Sequence, residues 1–187
     1  MKLKLVLVIS LLSTGLFAQK KDNLKLGTFA GLEANVGLDF ISMIRKDDDN
    51  KAYYDDKPLQ GDFTYGLQAQ LGYHFTNRLA FSTGLRYSYI NPNFHLIYWN
   101  FHPYVFLGDP KDENFTYISA NYSTQINRSV INNGRVLGLS IGKFDVIDDR
   151  ISQKYWVGLD LHNVNLKDKG VFFNIGYGIT FFSNKSL

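Results

Sequence analysis

Along most of residues 24–181, large apolar side chains recur at every second position, with small or polar residues between them. Leu24, Leu26, Leu32, Val36, Leu38 and Phe40 share one face with Thr28, Ala30 and Ala34. Lys25, Gly27, Gly31, Glu33, Asn35, Gly37 and Asp39 share the other, where Phe29 is the one bulky residue. A period of two predicts a β-strand, whereas a helix needs apolar groups three and four apart. The same pattern runs from Phe63 to Phe75, from Leu79 to Tyr89 and from Val171 to Phe181. Shorter alternations predict strands near 115–126, 135–144 and 154–165. Residues 94–107 are almost continuously apolar and aromatic, broken by Pro103. They are assigned to a further strand, a loop folded over a rim being the competing reading. The expected fold is therefore all-β, an eight-stranded antiparallel up-and-down barrel.

Glycine decides which face turns inward. Gly27, Gly31, Gly37, Gly66, Gly72, Gly84, Gly138, Gly142, Gly158, Gly176 and Gly178 all lie on the less apolar face. An eight-stranded interior is barely wide enough for its own side chains, so glycine fits inside and the Phe and Tyr of the second, third and last strands belong outside. A water-filled pore is disfavoured for the same reason. The alternative is a soluble, lipocalin-like ligand-binding barrel, which would bury the large apolar face. Its solvated face would then be rich in Lys and Glu, but here it is mainly Gly, Ser, Thr, Asn and Gln. Residues 63–75 carry aromatics at both ends and span about 40 Å of strand, or about 30 Å of height at a 40° tilt. That is the height of a lipid-facing band with an aromatic girdle at each rim. The charged stretch 41–62 is long and Thr76-Asn77-Arg78 is short, the asymmetry expected of outside loops and periplasmic turns.

The first residues predict a processing signal. Lys2 and Lys4 precede the apolar run Leu5–Leu12, and Phe17-Ala18-Gln19 offers a cleavage point after residue 18. The barrel domain is then 19–187. Removing two lysines lowers Lys plus Arg from 20 to 18 against 17 acids, and the formal charge from +3 to +1. Nothing in that balance points to nucleic acid. Cysteine is absent, which excludes disulfides and a thiol nucleophile. The expected location is the bacterial outer membrane, as a monomer surrounded by outer-membrane lipid and without a cofactor.

The stretch Gly72-Tyr73-His74-Phe75-Thr76-Asn77-Arg78-Leu79-Ala80-Phe81-Ser82-Thr83-Gly84-Leu85-Arg86-Tyr87 resembles the strand-turn-strand of small outer-membrane barrels of Bacteroidota. Phe17-Ala18-Gln19 and the closing Phe173-Asn174-Ile175-Gly176-Tyr177-Gly178 are similar in style. The resemblance implies an OmpA-like or PorT-like barrel, a family whose members are mostly of unassigned function, and it raises assistance to secretion as a role. Such barrels usually end on an aromatic residue, whereas this chain runs on through Ser183–Leu187.

Candidate chemistry is sparse. Glu33, Arg86 and Asp160 are inward charges on three different strands. They are expected to form an ion-pair network closing the lumen, because a lone charge there is costly. His162 stands two residues from Asp160 on the same face. An acid–base pair is conceivable there, but a satisfied interior polar residue is favoured. A lipid-modifying enzyme with a rim site built from His95 or His102 and a loop serine is the second functional reading. Asp47–Asp56 could bind calcium, but it lacks the ligand spacing of a calcium loop. The aromatic run from Phe94 to Phe106 is read as lipid-facing strand and girdle ahead of a binding surface. No zinc motif is present. The protein is thus expected to act structurally, or to meet a partner through loops 41–62 and 127–134.

Overall fold

A computed structural model describes residues 27–40, 62–76, 78–107, 114–129, 133–148, 150–163 and 169–183. Eight strands follow one another: β1 (Thr28–Asp39), β2 (Phe63–His74), β3 (Leu79–Ile90), β4 (Phe94–Leu107), β5 (Asn114–Gln125), β6 (Arg135–Asp148), β7 (Ile151–Asn163) and β8 (Lys169–Phe182). Each pairs antiparallel with its neighbours in sequence, and β1 closes on β8 to complete a barrel. Closure satisfies every strand edge, which an antiparallel sheet needs before it can sit in hydrocarbon. The expected signal peptide and nearly all of loop 41–62 lie outside the described residues.

The register sets the tilt. Leu32 pairs directly with Ile179. Followed around the other strands through Ala69, Leu85, Trp99, Thr124, Arg135 and Asn163, the line from Leu32 reaches Lys169 instead. The two arrivals on β8 differ by ten residues. For eight strands, a shear of this size goes with a tilt of about 40°. Each step from one strand to the next therefore climbs about 1.25 residues.

Leu32, Leu67, Leu71, Leu137, Leu139 and Ile175 stand outward and are among the most exposed side chains. The inward positions are buried or half-buried. The end at which the chain enters and leaves the barrel, here the terminal end, also carries the connections 76–78, 108–113 and 149–150. The opposite, loop end carries 41–62, 91–93, 126–134 and 164–168. At the first tight turn, Thr76 Oγ1 accepts from the backbone N–H of Arg78 and Leu79 at 3.2 and 3.0 Å, which is how a threonine closes so short a connection. A register shift between Val146 and Asp148 bends the end of β6.

Residues 94–107 are the full strand assigned to them, and their missing alternation has a cause. Leu96, Tyr98, Asn100, His102, Tyr104 and Phe106 point in, while Ile97, Trp99, Phe101, Val105 and Leu107 point out. The aromatic run is thus divided between lumen and outer wall rather than being wholly lipid-facing. β6 and β7 extend further toward the terminal end than expected. β8 begins at Lys169, two residues before the alternation that starts at Val171, and Gly170 pairs with His162.

Candidate functional site in the barrel lumen

The lumen is packed in layers. At the terminal end, Phe29, Tyr104, Phe106, Phe115, Tyr117, Phe144 and Phe182 form one buried cluster with Ala80. His74 stacks on Phe106, with centroids 5.1 Å apart and planes 11° from parallel. The space between these rings does not admit a water molecule. At the loop end, Ile90, Leu96, Tyr98, Val136 and Phe172 form a second apolar cluster. Large side chains therefore do enter the lumen, contrary to the expectation of a face of small and polar groups. Glycine makes the room. A Cβ on Gly72 would stand 2.1 Å from Phe29, and one on Gly176 would stand 2.2 Å from Trp156. Packing density leaves no space for both the methyl group and the ring.

Between the two clusters lie the charges, in two separate pairs. Lys154 Nζ donates to Glu33 Oε1 at 2.6 Å and to the Tyr104 hydroxyl at 3.1 Å. The rings of Tyr104 and Tyr117 lie 4.7 and 5.0 Å from the ammonium, a geometry in which the ring faces attract a desolvated cation. Gln70 Nε2 donates to the same carboxylate oxygen. Gln70 Oε1 accepts from Ser82 at 2.7 Å and from Tyr104 at 3.0 Å. Nearer the loop end, Arg86 Nη2 donates to Asp160 Oδ2 at 2.6 Å, while its Nε reaches Ser88 Oγ at 3.1 Å. Asn121 Nδ2 donates to the other oxygen of Asp160 at 3.1 Å.

The expected trio of Glu33, Arg86 and Asp160 is thus divided, and the structure brings in Lys154. Tilt explains the division. Arg86 and Asp160 stand within about one residue step of the same level, whereas Glu33 is about two and a half steps nearer the terminal end. With Arg86 engaged above, Glu33 is met from below by Lys154. Sequence reasoning passed over Lys154, although it shares the parity of Trp156, Asp160 and His162 on β7.

His162 is fully buried, with Nε2 4.0 Å from Asp160 Oδ2. Neither ring nitrogen has a hydrogen-bond partner among the described residues. Asp160 is already held by Arg86 and Asn121, so the two do not form a hydrogen-bonded acid–base pair. The imidazole instead packs edge-on against Phe172, with centroids 4.9 Å apart.

His95 and His102 lie on opposite faces of β4. His95 faces outward, with Nδ1 2.7 Å from the Tyr87 hydroxyl and Nε2 3.2 Å from Asn93. His102 is in the lumen rather than at the rim, and its serine comes from a strand. His102 Nε2 is 3.0 Å from Ser119 Oγ, which is 2.7 Å from Ser140. His102 Nδ1 is 3.1 Å from the Tyr104 hydroxyl. A serine beside an imidazole is the geometry of an activated nucleophile. Here the pair is buried, with the aromatic cluster on its terminal side and the Arg86–Asp160 layer on its loop side. Among the described residues no His, Asp and Glu side chains gather as a metal site. Residues 47–56 lie outside the described residues.

No protein-family model matches the chain, and no curated protein matches it. Among solved structures, Neisserial surface protein A superposes with a TM-score of 0.52 and 10% identity, over 84% of this chain and 97% of that one. The N-terminal β-barrel domain of Pseudomonas aeruginosa OprF gives 0.44 and 17%, over 82% and 97%. The outer membrane protein OprG of Pseudomonas aeruginosa gives 0.41 and 12%, over 86% and 99%. With the register, the likeness to Neisserial surface protein A establishes the fold class: a closed, eight-stranded, all-antiparallel barrel of the outer-membrane type.

Proposed function

We propose that the protein is an integral barrel of the bacterial outer membrane that transports nothing through its centre and acts through its loop-end segments. The observation that carries this reading is the inversion of the usual order. Leucine, isoleucine and aromatic side chains cover the outside, while two buried ion pairs lie between apolar clusters inside. Such a wall suits lipid and such a lumen suits a solid post. The two longest connections, 41–62 and 126–134, both lie at the end opposite the start of β1 and the end of β8, which supports placing the terminal end in the periplasm. Segments 41–62 and 127–134 then face the exterior, and a structural role or contact with a partner falls to them. The strand-turn-strand of residues 72–87 supports kinship with OmpA-like and PorT-like barrels of Bacteroidota. Assistance to secretion is one form such contact could take.

Membrane fractionation with heated and unheated electrophoresis tests the reading. The chain should pellet with the outer membrane and migrate at two positions depending on heating. Recovery in the soluble periplasmic fraction would favour the lipocalin-like alternative. Lipid A profiles of a deletion strain address catalysis. An altered acyl pattern restored by the wild type but not by a His95→Ala or His102→Ala variant would establish the lipid-modifying alternative instead.

A further inference from the structure

The apolar belt is not of even height. On β2 the outward face is apolar from Phe63 to Phe75, twelve residue steps that give about 30 Å of height at a tilt of about 40°. On β6 only Leu137, Leu139 and Ile141 stand outward between Arg135 and Lys143. Those eight steps give about 20 Å, less than the band of about 25 Å that outer-membrane barrels usually present.

The shortfall extends to the neighbouring strands at the terminal end. Thr116 pairs with Lys143, Asn114 with Asp145, and Asp145 with Gln153. All five side chains stand on the outer wall. Lys143 Nζ lies 3.0 Å from Asp145 Oδ1, and the two side chains keep 51% and 26% of their surface exposed. Corrected for the climb of about 1.25 residues per strand, this patch is level with Phe81, Val105 and Phe181 elsewhere on the wall. A barrel leaning in the bilayer does not account for it. Leaning would raise both borders of the belt on one side together. On β6 the loop-end border is instead lowered, at Arg135, while β1 and β2 remain apolar up to Phe40 and Phe63.

We infer that the β5–β7 side forms a polar notch in the lipid-facing wall, occupied by the headgroups of zwitterionic phospholipids, so that the bilayer is thinned on that side. This rests on the outer-membrane reading above. The chemistry of the notch selects the occupant. Lys143 offers an ammonium to a phosphate, Asp145 offers a carboxylate to a headgroup ammonium, and Thr116 and Gln153 add neutral hydrogen-bonding groups. Directly above them, Ile118, Ile141 and Tyr155 offer apolar surface to the acyl chains of the same lipids. A bilayer meets a short belt by thinning, and a lysine at its border carries its charge to the interface.

The absence of cysteine makes the test direct. Single variants T116C and Q153C in the notch, and L79C and V105C at the same level on β3 and β4, are spin-labelled and folded into phosphatidylcholine vesicles. Collision with a water-soluble nickel complex should be several-fold greater at residues 116 and 153 than at 79 and 105. Oxygen collision should show the reverse order. The double variant K143L/D145L should then move the labels at 116 and 153 toward the behaviour of 79 and 105. Oxygen-dominated collisions at all four sites would overturn the notch. Shielding of residues 116 and 153 from both reagents would also overturn it, in favour of a protein contact such as a second copy. Failure of residues 79 and 105 to meet oxygen would refute the membrane reading itself, so the two failures are told apart.

Discussion

A lysine without solvent contact must be neutralised where it stands, and Lys154 lies 2.6 Å from Glu33 with aromatic rings around it. Removing one partner of such a pair leaves the other buried and uncompensated, at about 3–5 kcal/mol. Lys154→Met should lower the urea midpoint of the folded barrel in detergent accordingly. The double variant E33M/K154M should recover much of that loss, because two apolar side chains of similar volume need no neutralisation. At Gly72 the argument is steric. Gly72→Ala should destabilise by about 1–3 kcal/mol through overpacking against Phe29. Adding Phe29→Leu should return part of the loss in the same unfolding measurement. Parity along β7 made the inward position of Lys154 readable from sequence. Its partner was not readable, because which inward residues meet depends on the shear, and the shear exists only once all eight registers are known.

At the scale of the strands, alternation was legible wherever one face met lipid and the other met glycine or a small polar group, as on β1, β2, β3 and β8. It failed on β4, since the strand supplies Leu96, Tyr98, Tyr104 and Phe106 to the two apolar clusters while presenting Trp99 and Phe101 to the outside. The ends of β6 and β7 were misjudged for a related reason. Asp145 and Gln153 are polar on the outward face, so the pattern stops before the hydrogen-bonded ladder does. The outer face of β6 also yields a graded prediction. Leu139→Arg, near the middle of the belt, should cost about 2–4 kcal/mol, whereas Leu137→Arg, next to Arg135, should cost less. Denaturant titrations in phospholipid vesicles would measure both, and equal losses would contradict the assigned depth.

For the whole molecule, strand number, lipid-facing wall and narrow lumen were all legible, because each follows from face composition. The candidate site was half legible: the residue types pointed inward as expected, but they sort into two layers that no single strand reveals. A filled lumen predicts electrical silence. The wild type in a planar bilayer should show no porin-sized conductance steps. Phe106→Ala combined with Phe144→Ala should not produce them, since the Glu33–Lys154 and Arg86–Asp160 layers remain beyond the aromatic cluster. Steps in either sample would contradict the layered packing. The Glu33–Lys154 pair also bears on how the barrel assembles. Its partners are 121 residues apart in sequence and flank the seam where β1 meets β8. Until that seam forms, an open sheet holds an acid near one margin and a base near the other, neither able to enter hydrocarbon alone at acceptable energy. Insertion and closure are thereby tied into one step, and a half-built sheet is kept out of the bilayer by its own charges.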